Sequence, residues 1–418
     1  MKKYNALFYF LIISAFVFIA HLQSVEKAVI CVPIADLIGQ SLHSLHALRD
    51  TYNSYNLYQQ LPVCGEKNAH ISCPRLHQLI YNDVVEIIKR EHDEVCIQIP
   101  NLYYLTASDK PQTTYWTHRD NIRSFDDLTS YAINIDHIPQ PINFTQPATL
   151  LPNNHTVTLT QPHYDAATKQ TFSIGTRFIK ASLSNRHIKN KISVYAIDYK
   201  KNKECIIFIP HTKCINSALL TTPEQQIAQF VSLLKLWAHQ ENGCIPYVWG
   251  GTSFTSTMNT PFQEKTHNTN NSSWYEFDND VTIPKNGFDC SGVIARAAQI
   301  CGMPYFFKNT TTISKMLTEL QTDDCLQNGD IILIKGHVMV VSNVAQNKLI
   351  EARSYAHGYG KLHEIKLHKV FDEMYDYQEL CNAFFNKKTL KRKDVNGKIR
   401  DTFKDWKILT IRSIYQKY

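Results

Sequence analysis

The segment "NGFDCSGVIARAAQICGMP", residues 286–304, constrains this chain more than any other. It reads as a loop entering a helix, with Val293, Ile294, Ala297 and Ile300 on one face and Gly302 and Pro304 ending it. Cys290 opens that helix. A thiol titrates near ~8.5 and is nucleophilic only as the thiolate, a form that the positive end of a helix favours. Of eleven cysteines, Cys290 alone is so placed. A buried structural cysteine is the bland alternative, and the flanking "FDCSG" weighs against it.

A cysteine nucleophile needs a base on a rigid neighbouring element. His337 begins a strand directly after the Lys335-Gly336 turn, which separates it from the rest of the eighteen histidines. A sulfur-to-ring distance within about 4 Å is expected. Glu351 lies on the next strand, in "KLIEAR", where a hairpin through Asn343 to Asn347 brings it beside His337. A carboxylate there accepts a hydrogen bond from the ring and fixes its tautomer. His357, in a Gly-flanked loop, is the rival for this third role.

The 418 residues suggest two or three domains. With 44% hydrophobic and 19% charged residues, these are folded globular units. The net charge of +7 comes with no basic stripe carrying interleaved aromatics, so nucleic acid is not implied. Residues 1–24 read as a signal peptide: Lys2 and Lys3, an apolar run from Leu7 to Ala20, then polar His21 to Ser24. An uncleaved anchor is the alternative, and no later segment suggests a stable membrane partner. In an exported chain an odd cysteine count suggests pairs plus one free thiol, with Cys64–Cys73 and Cys205–Cys214 close enough in sequence to pair. No spacing resembles a metal site, and no cofactor is implied.

Residues 25–137 carry short apolar runs (His77 to Ile88, Glu94 to Pro100, Thr113 to Asn121) and read as a small all-β barrel. Residues 138–154 read as a linker, and residues 155–220 as a second β unit with strands in Phe172 to Leu183, Lys191 to Tyr199 and Glu204 to His211. An amphipathic helix follows from Pro223 to His239. Thr255 to Asn286 reads as a surface-loop insert. Strands are expected at Asp330–Ile334, His337–Ser342, Lys348–Arg353 and Ile408–Ile414, the last preceded by the basic stretch Lys387 to Lys404.

Taken together, "PYVWGG" (246–251), "FDCSG" (288–292), "NGD" (328–330), "HVMVV" (337–341) and "LIEA" (349–352) resemble the NlpC-type cell-wall cysteine peptidase family. The resemblance implies an α+β architecture: a papain-like NlpC-type catalytic domain over residues 223–418, preceded by two small SH3-like β-barrels. It makes Cys290 the nucleophile, His337 the base and Glu351 the third member, where the family often has histidine. Tyr247 would join the Cys290 backbone amide in stabilising the oxyanion, although Tyr247 and Trp249 are equally read as core. Asp289 and Ser291 would shape substrate binding, and Asp289 reads equally as a helix cap. The implied partner is a peptidoglycan (murein) peptide cut at a γ-D-glutamyl to diamino acid bond, and the implied location is exported, in the periplasm or cell envelope. A family stretch that holds a free amine falls on Lys308, Asn309 and Thr310. Losing its aspartate weakens that preference, with Glu94 and Asp120 as substitutes and Tyr115 or Trp116 as cleft contacts. The rival readings are a thiol amidase, deamidase or acyltransferase with another target, and a wall-binding protein with a decayed site.

Overall fold

The computed structural model describes residues 25–42, 44, 75–99, 104–106, 110–141, 155–182, 190–240, 244–255, 264–266, 273–275, 286–304, 309–354 and 359–416. Its architecture is mixed α and β with mostly antiparallel sheets.

The first β unit is built from β1 (Glu26–Ile30), β2 (Ile34–Ile38), β3 (Arg75–Ile80), β4 (Val84–Glu91), β5 (Glu94–Gln98), β8 (Thr114–His118) and β9 (Ile122–Ser124), with β6 (Tyr104–Leu105) and β7 (Pro111–Gln112) as a separate pair. The seven strands follow the order β3-β2-β8-β5-β4-β1-β9. Residue alternation along β5 and β8 decides which side chains face inward. Val95, Ile97 and Tyr115 join one core, whereas Cys96 and Trp116 pack with Ile38 and Leu42 on the other face. Lys89 lies over the Trp116 ring. Tyr115 and Trp116 are therefore internal to this unit and are not cleft contacts. The run His77 to Ile88 divides into β3 and β4 around a turn at Asn82, whose φ is +69°.

The second unit contains β10 (Thr156–Leu159), β11 (His163–Asp165), β12 (Gln170–Phe172), β13 (Arg177–Ile179), β14 (Lys191–Asp198), β15 (Lys203–Pro210) and β16 (Cys214–Ile215). Its core is shared with the first: Tyr81, Leu128 and Ile138 pack with Val157, Phe172, Phe178 and Val194. The Tyr81 hydroxyl donates to Ile197 O and accepts from Ile197 N. Ile138, the first residue of the expected linker, is buried, and residues 142–154 lie outside the described residues.

The expected Cys205–Cys214 bridge is not formed, and nine cysteines are free thiols among the described residues. Extended chain rises about 3.3 Å per residue, so Cys205 to Pro210 spans about 17 Å, far beyond the ~7 Å limit for bridged Cα atoms. The chain then turns to pair β16 with β10. Cys64 and Cys73 lie outside the described residues.

Helix α1 (Phe125–Ser130) closes the first unit, and α2 (Pro223–Ala238) opens the third. Thr222 and Gln225 form a capping box at the α2 start, with Pro223 at its first turn. Trp237 stacks on Phe288 at 5.2 Å and donates to Thr160 O, joining α2 to the second β unit. The paired strands β17 (Thr252–Ser253) and β20 (Gly287–Phe288) flank the insert. Within it, only the pair β18 (Glu264–Thr266) and β19 (Ser273–Tyr275) is described.

Helices α3 (Cys290–Cys301) and α4 (Thr310–Met316) precede β21 (Thr318–Glu319), β22 (Ile331–Ile334), β23 (His337–Asn343), β24 (Lys348–Arg353) and β25 (Lys361–Lys366). After α5 (Leu367–Val370) and α6 (Tyr377–Phe385) come β26 (Leu390–Lys393), β27 (Ile399–Phe403) and β28 (Lys407–Thr410). The main sheet runs β21-β28-β22-β23-β24-β25. Strand alternation sorts its two faces: Val338, Val340, Ile350 and Ala352 face the core of α2 and α3, whereas Met339, Val341 and Leu349 face the core of α6. The last strand is shorter than expected and stops at Thr410. Asp330 Oδ1 takes the Ile411 N–H, and residues 411–416 wind into a 3-10 helix. The basic stretch is the hairpin β26–β27, laid against the sheet. No helix among the described residues is long and apolar enough to cross a membrane.

Candidate active site

Three glycines let α3 start where it does. Gly250, at φ +73°, turns the chain so that its N–H reaches Asp289 Oδ2 at 3.0 Å. A Cβ on Gly292 would lie 2.0 Å from Gly251 O, so the first turn of α3 packs directly on backbone. Asp289 is the helix cap: its Oδ1 accepts from Ser291 N, Ser291 Oγ and Gly292 N. The Cys290 amide, at the first helical position, has no intrahelical acceptor and is available to an oxyanion.

Burial decides the state of the thiol. Cys290 is 8% exposed, and burial pushes its thiol up to about 12, with Asp289 adding to the shift. The backbone N–H groups of Val338 and Ser291, with the Arg392 guanidinium, favour the anion but do not reverse this. The helix dipole by itself favours a lowered thiol. Desolvation outweighs it here.

His337 sits at the start of β23, paired with Ile334 across a tight turn where Gly336 has φ +74°. Its Nε2 lies 2.8 Å from Glu351 Oε2. Burial lifts the Glu351 carboxyl, but Arg392 and then Arg353 outweigh that and hold it well below the usual carboxylate range. Glu351 is thus an acceptor only, so His337 Nε2 carries the proton and Nδ1 keeps the lone pair. Burial, followed by Arg392, pushes His337 down to about 4. Near neutral pH the resting pair is a neutral thiol and a neutral imidazole. Among the described hydrogen bonds none joins the thiol to the ring, and the nearest tie is through Val338, one residue along β23. Base and nucleophile commonly close up only when substrate binds.

The other expected residues are placed as follows. Tyr247 is buried on the α3 side of the sheet and bridges to Phe288. Trp249 is 37% exposed, and its carbonyl accepts from Arg75 Nη1 at 3.0 Å. Arg75 is itself held by Asp36, at 2.7 and 2.9 Å, so the first β unit is docked onto the loop that precedes the cap. Gln78 and Thr252 add two further bonds across that junction. Asn309 caps α4: its Oδ1 accepts from Thr312 N and Oγ1, and its Nδ2 donates to Leu105 O. Glu94 is buried and accepts from Ser41 Oγ and Leu42 N. Asp120 is 68% exposed, and Lys308 and His357 lie outside the described residues.

Sequence reasoning missed Arg392, Arg353 and His363. Glu351 Oε2 accepts from Arg392 at 2.5 Å, while Oε1 faces His363 Nε2 at 3.3 Å and Arg353 Nη1 at 3.6 Å. The only signal was the alternation Leu390, Arg392, with both positions buried. No group of side chains among the described residues is arranged to hold a metal ion.

The site thus holds a thiol at the start of a helix, an imidazole at the start of a strand, and a buried acid bonded to that ring. Among solved structures, the chain is similar to an NlpC/P60 family protein from Bacillus cereus, with 16% identity over 82% of this chain and 94% of that one, at a TM-score of 0.49. It is also similar to NlpC2 from Trichomonas vaginalis, with 9% identity over 83% and 94% of the two chains and a TM-score of 0.31. The peptidoglycan hydrolase RipB from Mycobacterium tuberculosis matches 37% of this chain and 66% of its own at 19% identity and a TM-score of 0.22. No family model and no curated protein matches the sequence.

Proposed function

We propose that this chain is an exported cysteine endopeptidase of the NlpC type, cutting peptidoglycan peptides at the γ-D-glutamyl to diamino acid bond. The observation that carries the reading is a set of three: Cys290 opening a capped helix, His337 next in the chain to the Val338 N–H that meets the thiol, and Glu351 fixing the tautomer of His337. The ordered motifs from Pro246 to Ala352 supply the substrate class. Lys2, Lys3 and the run from Leu7 to Ala20 support export to the periplasm or cell envelope.

In this reading the sulfur attacks the scissile carbonyl as His337 Nδ1 takes its proton, so no stable thiolate precedes attack. The Cys290 N–H, with Tyr247 nearby, would stabilise the tetrahedral oxyanion. The imidazolium returns its proton to the leaving amine, a thioester remains on Cys290, and water then releases the acid. The first β unit, docked through Arg75 at Trp249, would wall one end of the cleft and restrict substrates to short peptides. Because Asn309 is committed to Thr312 and Leu105, a strict preference for a free L-alanine amine is not expected.

The test is digestion of isolated muropeptides by purified protein, with products identified by mass. Release of fragments ending in D-glutamate supports the reading. Cleavage at another bond, or transfer of the acyl group to an added amine in preference to water, would replace it with one of the rival thiol chemistries.

A further inference from the structure

We infer that Arg392 is a positioning residue, holding Glu351 as an oriented carboxylate behind His337 so that His337 Nδ1 stays the proton-accepting nitrogen. The inference rests on the reading of Cys290 and His337 given above. It starts from one oxygen atom: Glu351 Oε2 accepts from both His337 Nε2, at 2.8 Å, and Arg392 Nη2, at 2.5 Å. A glutamate has three side-chain torsions to fix. A second strong donor on the same oxygen narrows all three while leaving a lone pair for the imidazole.

Arg392 comes from the β26–β27 hairpin, 41 residues from Glu351 in the chain. It is 4% exposed, and its Nε has no hydrogen-bond partner, so the pair with Glu351 is what offsets its burial. The hairpin has a separate attachment, from Arg353 Nη2 to Lys393 O, and docking alone does not need a buried charge at position 392.

The charges around the pair give Arg392 a second consequence. Glu351 faces Arg353 on its own strand, His337 on β23, His363 on β25 and Arg392 on β26. Tyr359 packs on Arg353, and Asp289 beside Cys290 faces the thiol from α3. One carboxylate thus meets two guanidiniums. Burial first, and then the excess positive charge, keep the imidazole neutral, and therefore a base, in acid solution, with Arg392 ahead of Arg353 in the charge effect.

The experiment follows alkylation of Cys290 by iodoacetamide in the full chain, across about pH 4 to about pH 9, scored by mass on the Cys290 peptide. The thiol sulfur displaces iodide while its proton passes to His337, so the readout needs no knowledge of the natural substrate. Arg392→Gln is expected to slow alkylation about tenfold. It should also move the acid limb up by on the order of one pH unit, because a Glu351 left with Arg353 alone favours the imidazolium more strongly. Arg392→Lys keeps the charge but loses the fork, so its limb should stay at the wild-type position while the rate falls. A merely structural arginine would change the yield of folded protein and neither the rate per folded molecule nor the limb. Wild-type rate and limb in Arg392→Gln overturn the inference, as does a limb in Arg392→Lys displaced as far as in Arg392→Gln. Should Arg392→Gln fail to fold, Arg392→Lys decides alone, and a wild-type rate there overturns it. Absence of any Cys290 alkylation in the wild type would take down the reading of the site together with the inference.

Discussion

Glu351 and His337 meet at 2.8 Å on the face of the sheet opposite α3, where alternation along β23 and β24 places them with Met339, Val341 and Leu349. Buried charge thus supports the His337 imidazole from behind, with Arg392 and Arg353 on the far side of the Glu351 carboxylate.

Removing that carboxylate should cost stability as well as rate. Glu351→Ala leaves Arg353 and Arg392 buried without their counter-ion, a loss of about 3–5 kcal/mol. Glu351→Gln keeps an acceptor and should fold better while still slowing catalysis. Denaturant unfolding of the two variants beside steady-state rates checks the order. Equal stability of Glu351→Ala and wild type would contradict the buried cluster.

The cap should be separable from the chemistry. Asp289→Ala removes the acceptor for Ser291, Gly292 and Gly250 and should destabilise by about 1–2 kcal/mol. Asp289→Asn keeps an acceptor for Ser291 and Gly292 but turns an amide N–H2 to the Gly250 N–H, so it should recover only part of the stability while lowering the pH at which Cys290 is alkylated, since Asp289 is second only to burial in raising the thiol. Thermal unfolding and pH-dependent alkylation measure the two effects.

Gly292→Ala should prevent normal folding of the third unit. The added Cβ would sit 2.0 Å from Gly251 O, and neither backbone segment can retreat without breaking the Asp289 cap. Soluble yield and near-ultraviolet circular dichroism report the outcome, and a native spectrum would be contrary to the packing described.

Stability should fall in acid over a defined window. His337, pushed down to about 4, and His363, also lowered, bind fewer protons folded than unfolded, where histidine titrates near ~6.5. Their contribution is complete above about pH 6.5 and is lost as pH falls toward about 4. Asp330, raised to about 6 by burial, has the opposite sign: its contribution grows as pH falls through about 6. Asp330→Asn should therefore steepen the loss of melting temperature between about pH 6.5 and about pH 4.5. A flat profile in both proteins would contradict these assignments.

Local features were legible in the sequence and tertiary ones were not. Helix α3 follows from four apolar positions and Gly302, and β22 to β24 from unbroken apolar runs, because each signal is complete within a dozen residues. Glu351 beside His337 follows from one short hairpin. Arg392 does not, since its partner is 41 residues away and a basic stretch reads as solvated surface until the sheet buries it. The state of Cys290 is hidden from the sequence for the same reason: the dipole is visible in the chain, whereas desolvation depends on what covers it. Tyr115 and Trp116 are expected at a cleft from the domain order of the enzymes the chain resembles, and nothing in a short aromatic strand marks that both of its faces are covered.

The most direct measurement compares wild type and Cys290→Ala, at equal folded concentration, on a purified wall peptide containing a γ-D-glutamyl to diamino acid bond. New amine ends should appear with the wild type and be reduced at least about a thousandfold in the variant, because a missing nucleophile leaves only binding and oxyanion contributions. Retention of a tenth or more of the wild-type rate by Cys290→Ala would contradict the assignment of Cys290 as nucleophile.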